Sequence, residues 1–341
     1  MGFDFARVFA SRPVILAPME EVSDAAFRRV CRARGADVCV TEFVRAESLV
    51  HNGPRELNKI VLGAGDSPTA IQIYGSDPAC LSEAAEIAER AQPAYLDINC
   101  GCWVPRIARG GAGAGWLRSP DAMVAMAKLV VERVALPVTV KTRIGWGDEL
   151  DMPLVDIARR LEDVGVRALT VHCRTAKMGY SGDADWSWAQ KAREAVSMPV
   201  IVNGDIRSAD DCERALDVTQ CAGAMIGRRA IQHPWIFREV RARLDGEREQ
   251  AAPTLRERIE LCLEHLLAMA VLRGEDPAMR AMRAHYPGYL GLIPRKSSLI
   301  RELNSLPTFE ITQQVLEREL AATDSASVVG CFQTMTSNVA S

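Results

Sequence analysis

The chain has 341 residues, 48% of them hydrophobic and 25% charged, with a formal net charge of −3. That is enough apolar material for one large domain, or a large domain with a small appendage, and the near-neutral charge excludes a nucleic-acid partner recognised by bulk positive charge, though not a local basic face. The opening MGFDFARVFASRPVILAP sets acid and base before a short apolar run and holds no apolar stretch long enough to span a bilayer, so a soluble, cytosolic, monomeric protein with no membrane partner is expected.

Eight short runs, each apolar throughout and bounded by turn residues, organise the first two thirds of the chain. In order they are VILAPM (14–19), VCVTE (38–42), AIQIYG (70–75), YLDINCG (95–101), VTVKTRIG (138–145), ALTVHCR (168–174), VIVNGDI (200–206) and GAMIGR (223–228). Runs of this kind suit parallel strands buried on both faces. Between them lie segments with apolar residues every three or four positions, such as 121–134 and 152–165, the latter stopping on Gly165. Strand and helix alternating eight times predict an α/β fold, a (β/α)8 TIM barrel.

At or just past the carboxyl end of each proposed strand stand Met19, Glu42, Gln72, Asn99 with Cys102, Lys141 with Arg143, His172 with Arg174, Asn203 with Asp205, and Gly227 with Arg228. In a barrel these ends share one face, where active sites are built. NGDI at 203–206 and MIGRRA at 225–230 occupy the ends of strands seven and eight, the usual place for a phosphate in this fold, and so imply a phosphorylated ligand.

The ten cysteines lack the spacing of a disulfide framework and read as reduced thiols, and the five histidines complete no zinc spacing, so no metal is expected. In DINCGC the residues alone leave Cys102 open as ligand, redox partner, core filler or acid.

Beyond the barrel, 245–253 reads as a charged linker and 256–274 as an amphipathic helix ending on Gly274. Residues 277–301 carry Arg280, Arg283, Arg295, Lys296 and Arg301 with His285 and no acid before residue 302, a local basic face; Arg280 and Arg283, three apart, share a helical side suited to phosphates. The expected division is a catalytic barrel over 1–244, a small all-α helical domain over 245–322 and a mobile tail over 323–341.

The segments APMEEVSDAAFR (17–28), QIYGSDP (72–78), DINCGCWVPRIARGGAGAGWLRSP (97–120), VKTRIGW (140–146), VHCRTAKMGYSGDADW (171–186), VNGDI (202–206) and MIGRRAIQHPWIFRE (225–239) resemble, in order, the motifs of the tRNA-dihydrouridine synthases. The resemblance implies a flavin-binding barrel followed by a tRNA-binding helical domain, with FMN as cofactor, NADPH as reductant and a D-loop uridine of tRNA as substrate. It implies that Pro18 and Met19 pack on and bond the flavin ring, that Gln72 meets its polar edge, and that Lys141 sits where charge collects on reduction. His172, Asn203, Gly204, Asp205, Gly227 and Arg228 would hold the ribityl chain and phosphate. Asn99, Arg143 and Arg174 would face the uracil or its phosphate, Arg106 and Arg109 would meet phosphates from the loop, and Arg280 and Arg283 would meet them from the helical domain. Cys102 would be the acid that gives a proton to uracil C5, a task a thiol with an ordinary pKa of about 8.5 performs while protonated; Cys100 is read as packing.

The sequence departs from the family at two points. Trp103 stands where proline is usual, which restores a backbone N–H and allows the loop another resting position, and Met178 stands where glutamine is common. TEFVR (41–45) and NCGC (99–102) look like the subfamily acting at tRNA position 16, whereas HPWIFRE (233–239) looks more like that acting at 17. The alternatives are an FMN-dependent reductase of a free pyrimidine, akin to the dihydroorotate dehydrogenases, and an RNA-binding flavoprotein impaired by Trp103.

Overall fold

The computed structural model describes residues 3–322 except 64, 148–151, 292 and 294; the tail expected over 323–341 lies outside the described residues. The chain divides into two compact units, one comprising the residues up to 230 together with 234–250, the other 231–233 together with the residues from 251 onward.

The first unit is a closed parallel barrel. Its strands are β1 (Val14–Leu16), β2 (Val38–Val40), a two-residue β3 (Val44–Arg45), β4 (Thr69–Tyr74), β5 (Leu96–Cys100), β6 (Val138–Arg143), β7 (Ala168–His172), β8 (Val200–Asn203) and β9 (Gly223–Ile226). Hydrogen bonding runs β2-β1-β9-β8-β7-β6-β5-β4-β3, and a further β2–β4 pairing closes the ring, with β3 attached outside it through β4. All eight expected runs are barrel strands. They are apolar throughout because helices cover their outer faces while the ring fills its own centre. β3 follows β2 too closely, and is too short, to show as a run.

Local chemistry marks where the covering helices begin. Asp24 caps Ala25–Arg32 by accepting from the Phe27 N–H, Ser208 caps Ala209–Thr219 by accepting from Asp211, and proline opens Pro78–Glu89 and Pro120–Arg133, where its missing N–H costs nothing. Helix Ile236–Leu244 stays with the barrel: Arg241 pairs with Asp37 at 3.2 Å, and Gly35 has no side chain to obstruct Phe237 and Arg241. The unit continues to residue 250.

The amino-terminal end of the barrel is filled. Helix Phe5–Ala10 brings Phe5 and Phe9, stacked at 4.2 Å, against Tyr95 at 5.6 and 5.8 Å, over a core of Ile15, Val38, Ala70, Ala168, Ile201 and Met225.

The second unit is helical, with helices Leu255–Arg273, Glu275–Met282, Tyr286–Tyr289 and Lys296–Leu303 and a helical stretch over 309–322. Thr254 and Glu257 form a reciprocal capping box, and Gly274, at φ +86°, ends the first helix where the sequence placed its stop. The basic stretch is only partly a face. His285 is buried, its ring 4.6 Å from that of His265, and Arg295 pairs with Glu302 and Glu319; Arg280, Arg283, Lys296 and Arg301 are exposed. Glu302, just past the stretch and on the helix that Arg295 precedes, and Glu319, 24 residues on, turn onto Arg295, a neutralisation that a charge count ending at 301 misses. No helix among the described residues is long and apolar enough to cross a membrane.

Candidate active site

Strand register gathers the expected residues at the carboxyl end of the barrel. Asn99 lies opposite Lys141, Arg143 opposite His172, and His172 opposite Asn203, across three successive strand pairs. Residues tens of positions apart in the chain thereby become neighbours.

Below Cys102 runs a chain of side-chain hydrogen bonds. The amide of Asn99 accepts from the backbone N–H groups of Gly101 (3.1 Å) and Cys102 (2.9 Å) and donates to the Gln72 carbonyl (2.8 Å); Gln72 donates to Asp97 (2.6 Å), which also accepts from the Thr139 hydroxyl (2.5 Å). The Cys102 carbonyl accepts from Ala114, and a side chain on Gly113, at φ +56°, would collide with it at 2.8 Å, so the loop is seated from both sides. The half-buried Cys102 thiol is pushed above its ordinary range by burial, against the Val104 backbone and the charges of Arg143 and Lys141, which pull it down. It is protonated at neutral pH, the state a proton donor needs.

The Lys141 side chain has no hydrogen bond or ion pair among the described residues, although its backbone is paired in the barrel ladder. Burial, then Arg143, lowers its pKa to about 8, while Asp97 opposes the shift. A lowered lysine pKa means that the charged form costs stability below about 8, and that this cost fades as pH rises from about 8 towards 10.5, where only the unfolded chain keeps the proton. Lys141→Met, of similar length and uncharged, is therefore expected to stabilise the cofactor-free protein by about 1–3 kcal/mol at pH 7 and by less at pH 9.5. Urea unfolding at the two pH values measures this, and a variant less stable at pH 7 contradicts it.

His172 is buried and held neutral, first by burial and then by Arg143, Lys141, Arg174 and Arg228. Its Nε2 lies 3.4 Å from Nη1 of Arg174, which can only donate, so the ring proton sits on Nδ1.

Arg143 and Arg174 lie beneath the mouth, both about 2% exposed or less. Arg143 donates to the carbonyls of Gly101, Thr175 and Gly179, each at 2.9 Å. Arg174 donates to the carbonyls of Ser181 and Gly182 and to Asp205 at 2.6 Å. Most of their donors thus brace the segment after β7, and fewer remain for a ligand than the resemblance assigns them. Asp205, at φ +54°, loses ionisation to burial but regains more from Arg174, the Ala184 N–H and Arg207, so its pKa is lowered and it is a carboxylate.

Above the arginines lies an aromatic stack. Trp103 packs its ring where a Cβ on Gly179 would stand, at 3.4 Å, and meets Tyr180 edge-on at 5.7 Å; the Arg228 guanidinium covers the Tyr180 ring at 4.2 Å and lies 4.0 Å from Asp205. Trp103 thus anchors its loop onto the segment after β7. Met178 accepts the Thr175 N–H through its sulfur at 3.5 Å, supporting the same segment.

The remaining expected residues sit as follows. The Met19 N–H is occupied by Ser23 at 2.9 Å and Pro18 has none, so this loop offers a ligand apolar surface, with the Met19 sulfur 3.8 Å from where a Cβ on Gly227 would be. The Asn203 amide donates to the Met225 carbonyl at 2.7 Å, and Gly204, at φ +118°, has Ala184 and His172 too close to admit a side chain. Arg106 and Arg109 are exposed at helix Pro105–Ala108; Arg280 and Arg283 lie in the second unit. Sequence reasoning did not single out Asp97, Tyr180 or Trp186, whose indole donates to the Gly204 carbonyl at 2.8 Å. An acid inside an otherwise apolar strand was the available signal for Asp97.

A mouth that can hold an anionic group against Lys141 and present a protonated thiol beside it is equipped for chemistry, and places the protein among the (β/α)8-barrel enzymes. A family model described as dihydrouridine synthase (Dus) matches residues 15–327, and the chain belongs to that family of flavin-dependent oxidoreductases. It is 35% identical to a probable tRNA-dihydrouridine synthase of Rhodobacter capsulatus, covering 91% of this chain and 96% of that one. It is 36% identical to tRNA-dihydrouridine synthase B of Pseudomonas aeruginosa over 86% and 88% of the two chains. A solved 2-naphthoyl-CoA reductase complex shares the fold at a TM-score of 0.54 and 11% identity, over 69% of this chain and half of that one.

Proposed function

We propose that this protein reduces a D-loop uridine of tRNA to 5,6-dihydrouridine, with FMN bound at the barrel mouth and NADPH as reductant. The observation that carries the reading is a partly buried lysine, its side chain without a hydrogen bond or ion pair among the described residues, close to a protonated thiol: Lys141 fits an anion-bearing ring edge, and Cys102 supplies the one proton the product needs. Bound there, a flavin would supply the hydride that uracil C6 gains, with NADPH as its reductant.

The protein's own groups do the rest. Cys102 gives its proton to C5, so that the C5=C6 double bond gains one hydride and one proton, and the thiolate left behind is reprotonated from solvent. Lys141 balances the negative charge that gathers at the ring edge on reduction. Met19 and Pro18 supply an apolar wall, while Asn203, Gly204, Gly227 and the half-exposed Arg228 hold the ribityl phosphate, with His172 offering its Nδ1–H. Asn99 places the Cys102 loop. Arg143, Arg174 and Asp205 hold the segment after β7, and any remaining donors of the two arginines face the uracil.

Purified protein supplied with FMN and NADPH is expected to form dihydrouridine in unmodified tRNA, detected and located by mass spectrometry of nuclease fragments. Turnover of free uridine at a matching rate would favour the small-molecule alternative instead.

Docking of RNA phosphates on the second unit makes a separate prediction. Arg280 and Arg283 are exposed on helix Glu275–Met282 and at its end. Reversing both charges is expected to weaken tRNA binding at low salt and to flatten its salt dependence by up to about two phosphate contacts, while oxygen-linked NADPH oxidation persists. An unchanged affinity would make these arginines an ordinary solvated face.

A further inference from the structure

The chain of hydrogen bonds under Cys102 has its direction fixed at both ends. The Gly101 and Cys102 backbone groups that meet Asn99 are N–H donors, so the Asn99 atom facing them is oxygen and its NH2 faces Gln72. The Gln72 atom that receives this NH2 is oxygen, so the Gln72 NH2 faces Asp97. The chain must end on an acceptor, and a carboxylate is one that cannot turn a donor towards Gln72 instead. Asp97 is 2% exposed in the interior of β5, and burial pushes its carboxyl above the ordinary range, against the Thr139 hydroxyl that donates to its other oxygen, the Gln72 amide and the charge of Lys141, which pull it back. An aspartate so buried needs a reason to be charged there, and the direction of this chain supplies one.

We propose that Asp97 is a positioning residue: its carboxylate, held by Thr139, sets the amide orientation of Gln72 and through it that of Asn99, and so seats the loop that carries Cys102. The proposal deepens the assignment of Cys102 as proton donor and rests on it for its catalytic meaning. The seating itself can be read without catalysis.

Asparagine at 97 can donate or accept, so Asp97→Asn removes the anchor at that end and leaves the direction held by the Gly101 and Cys102 N–H groups alone, which loosens the loop for part of the time. Alkylation of Cys102 by iodoacetamide, followed by peptide mass spectrometry, is expected to quicken roughly three- to tenfold, the weight of about one neutral hydrogen bond. Its pH midpoint should fall towards that of an ordinary thiol, and amide exchange over 96–104 should quicken. Cys80, on helix Pro78–Glu89, is the internal reference and should not change. The double variant Asp97→Asn with Gln72→Glu restores a pure acceptor one step along, which forces Asn99 back to its original orientation. Its alkylation rate is expected to return to within about twofold of the parent. A merely structural role for Asp97 would not be rescued by moving its charge to residue 72. An Asp97→Asn rate within twofold of the parent, or a double variant that stays at the single-variant rate, overturns the proposal. Should Asp97→Asn fail to fold, Thr139→Val, which removes one of the carboxylate's two anchors and no charge, carries the test, and unchanged Cys102 alkylation then overturns it. Because alkylation does not depend on bound flavin or tRNA, the chain of orientation can fail while Cys102 remains the proton donor, and the reverse.

Discussion

Cys102→Ala is expected to slow oxidation of the reduced enzyme by tRNA by roughly 100- to 10,000-fold, the usual loss when a general acid is removed. Reduction by NADPH should be nearly unaffected, since no proton from residue 102 enters that half. Rapid mixing separates the two halves by the flavin absorbance. Cys100→Ala is the matched control. Its thiol is fully buried on β5 and pushed far up by burial, so its loss should cost some stability and little rate. Equal reoxidation rates in parent and Cys102→Ala would mean that another group carries the proton.

Arg174→Ala is expected to destabilise the barrel by about 3–5 kcal/mol, because it strands a partly buried carboxylate and leaves the carbonyls of Ser181 and Gly182 without their donor. Arg228→Ala, at a half-exposed position, should change stability by no more than about 0.5 kcal/mol and weaken retention of a phosphorylated cofactor instead. Chemical denaturation of both variants, with FMN retention measured by gel filtration, makes the comparison. An Arg174→Ala protein as stable as the parent but poor at binding tRNA would show that this guanidinium works mainly on substrate.

The contrast between these two arginines shows what one sequence can disclose. Eight strands were legible because a parallel strand in this fold is buried on both faces and its residue types say so, as in VIVN and GAMI. Strand ends were legible for the same reason, since the first polar residue after an apolar run falls at the mouth, and Lys141, Asn99 and His172 were found that way. Their partners were not legible. That Gln72 meets both Asp97 and Asn99 depends on how β4 and β5 are offset, and that Arg143 spends its donors on Gly101 and Gly179 depends on where two loops come to rest. Trp103 could be recognised as a departure, but its seat on Gly179 depends on how two loops pack together. Charge counting failed at His285 and Arg295 because the ring that faces one and the Glu319 carboxylate that meets the other arrive through folding, and Glu302 lies just beyond the counted stretch.

The aromatic packing of Phe5, Phe9 and Tyr95 closes one end of the barrel, so its interior is reached through the opposite end alone. In the proposed reaction a dinucleotide and a folded RNA therefore approach through the same doorway, and a bulky RNA seated there would leave no room for the dinucleotide. Such traffic imposes an order on the kinetics. The first product has to depart before the second reactant arrives, so initial rates measured against one reactant at several fixed levels of the other should fall on parallel reciprocal lines, and an excess of either should inhibit by occupying the entrance out of turn.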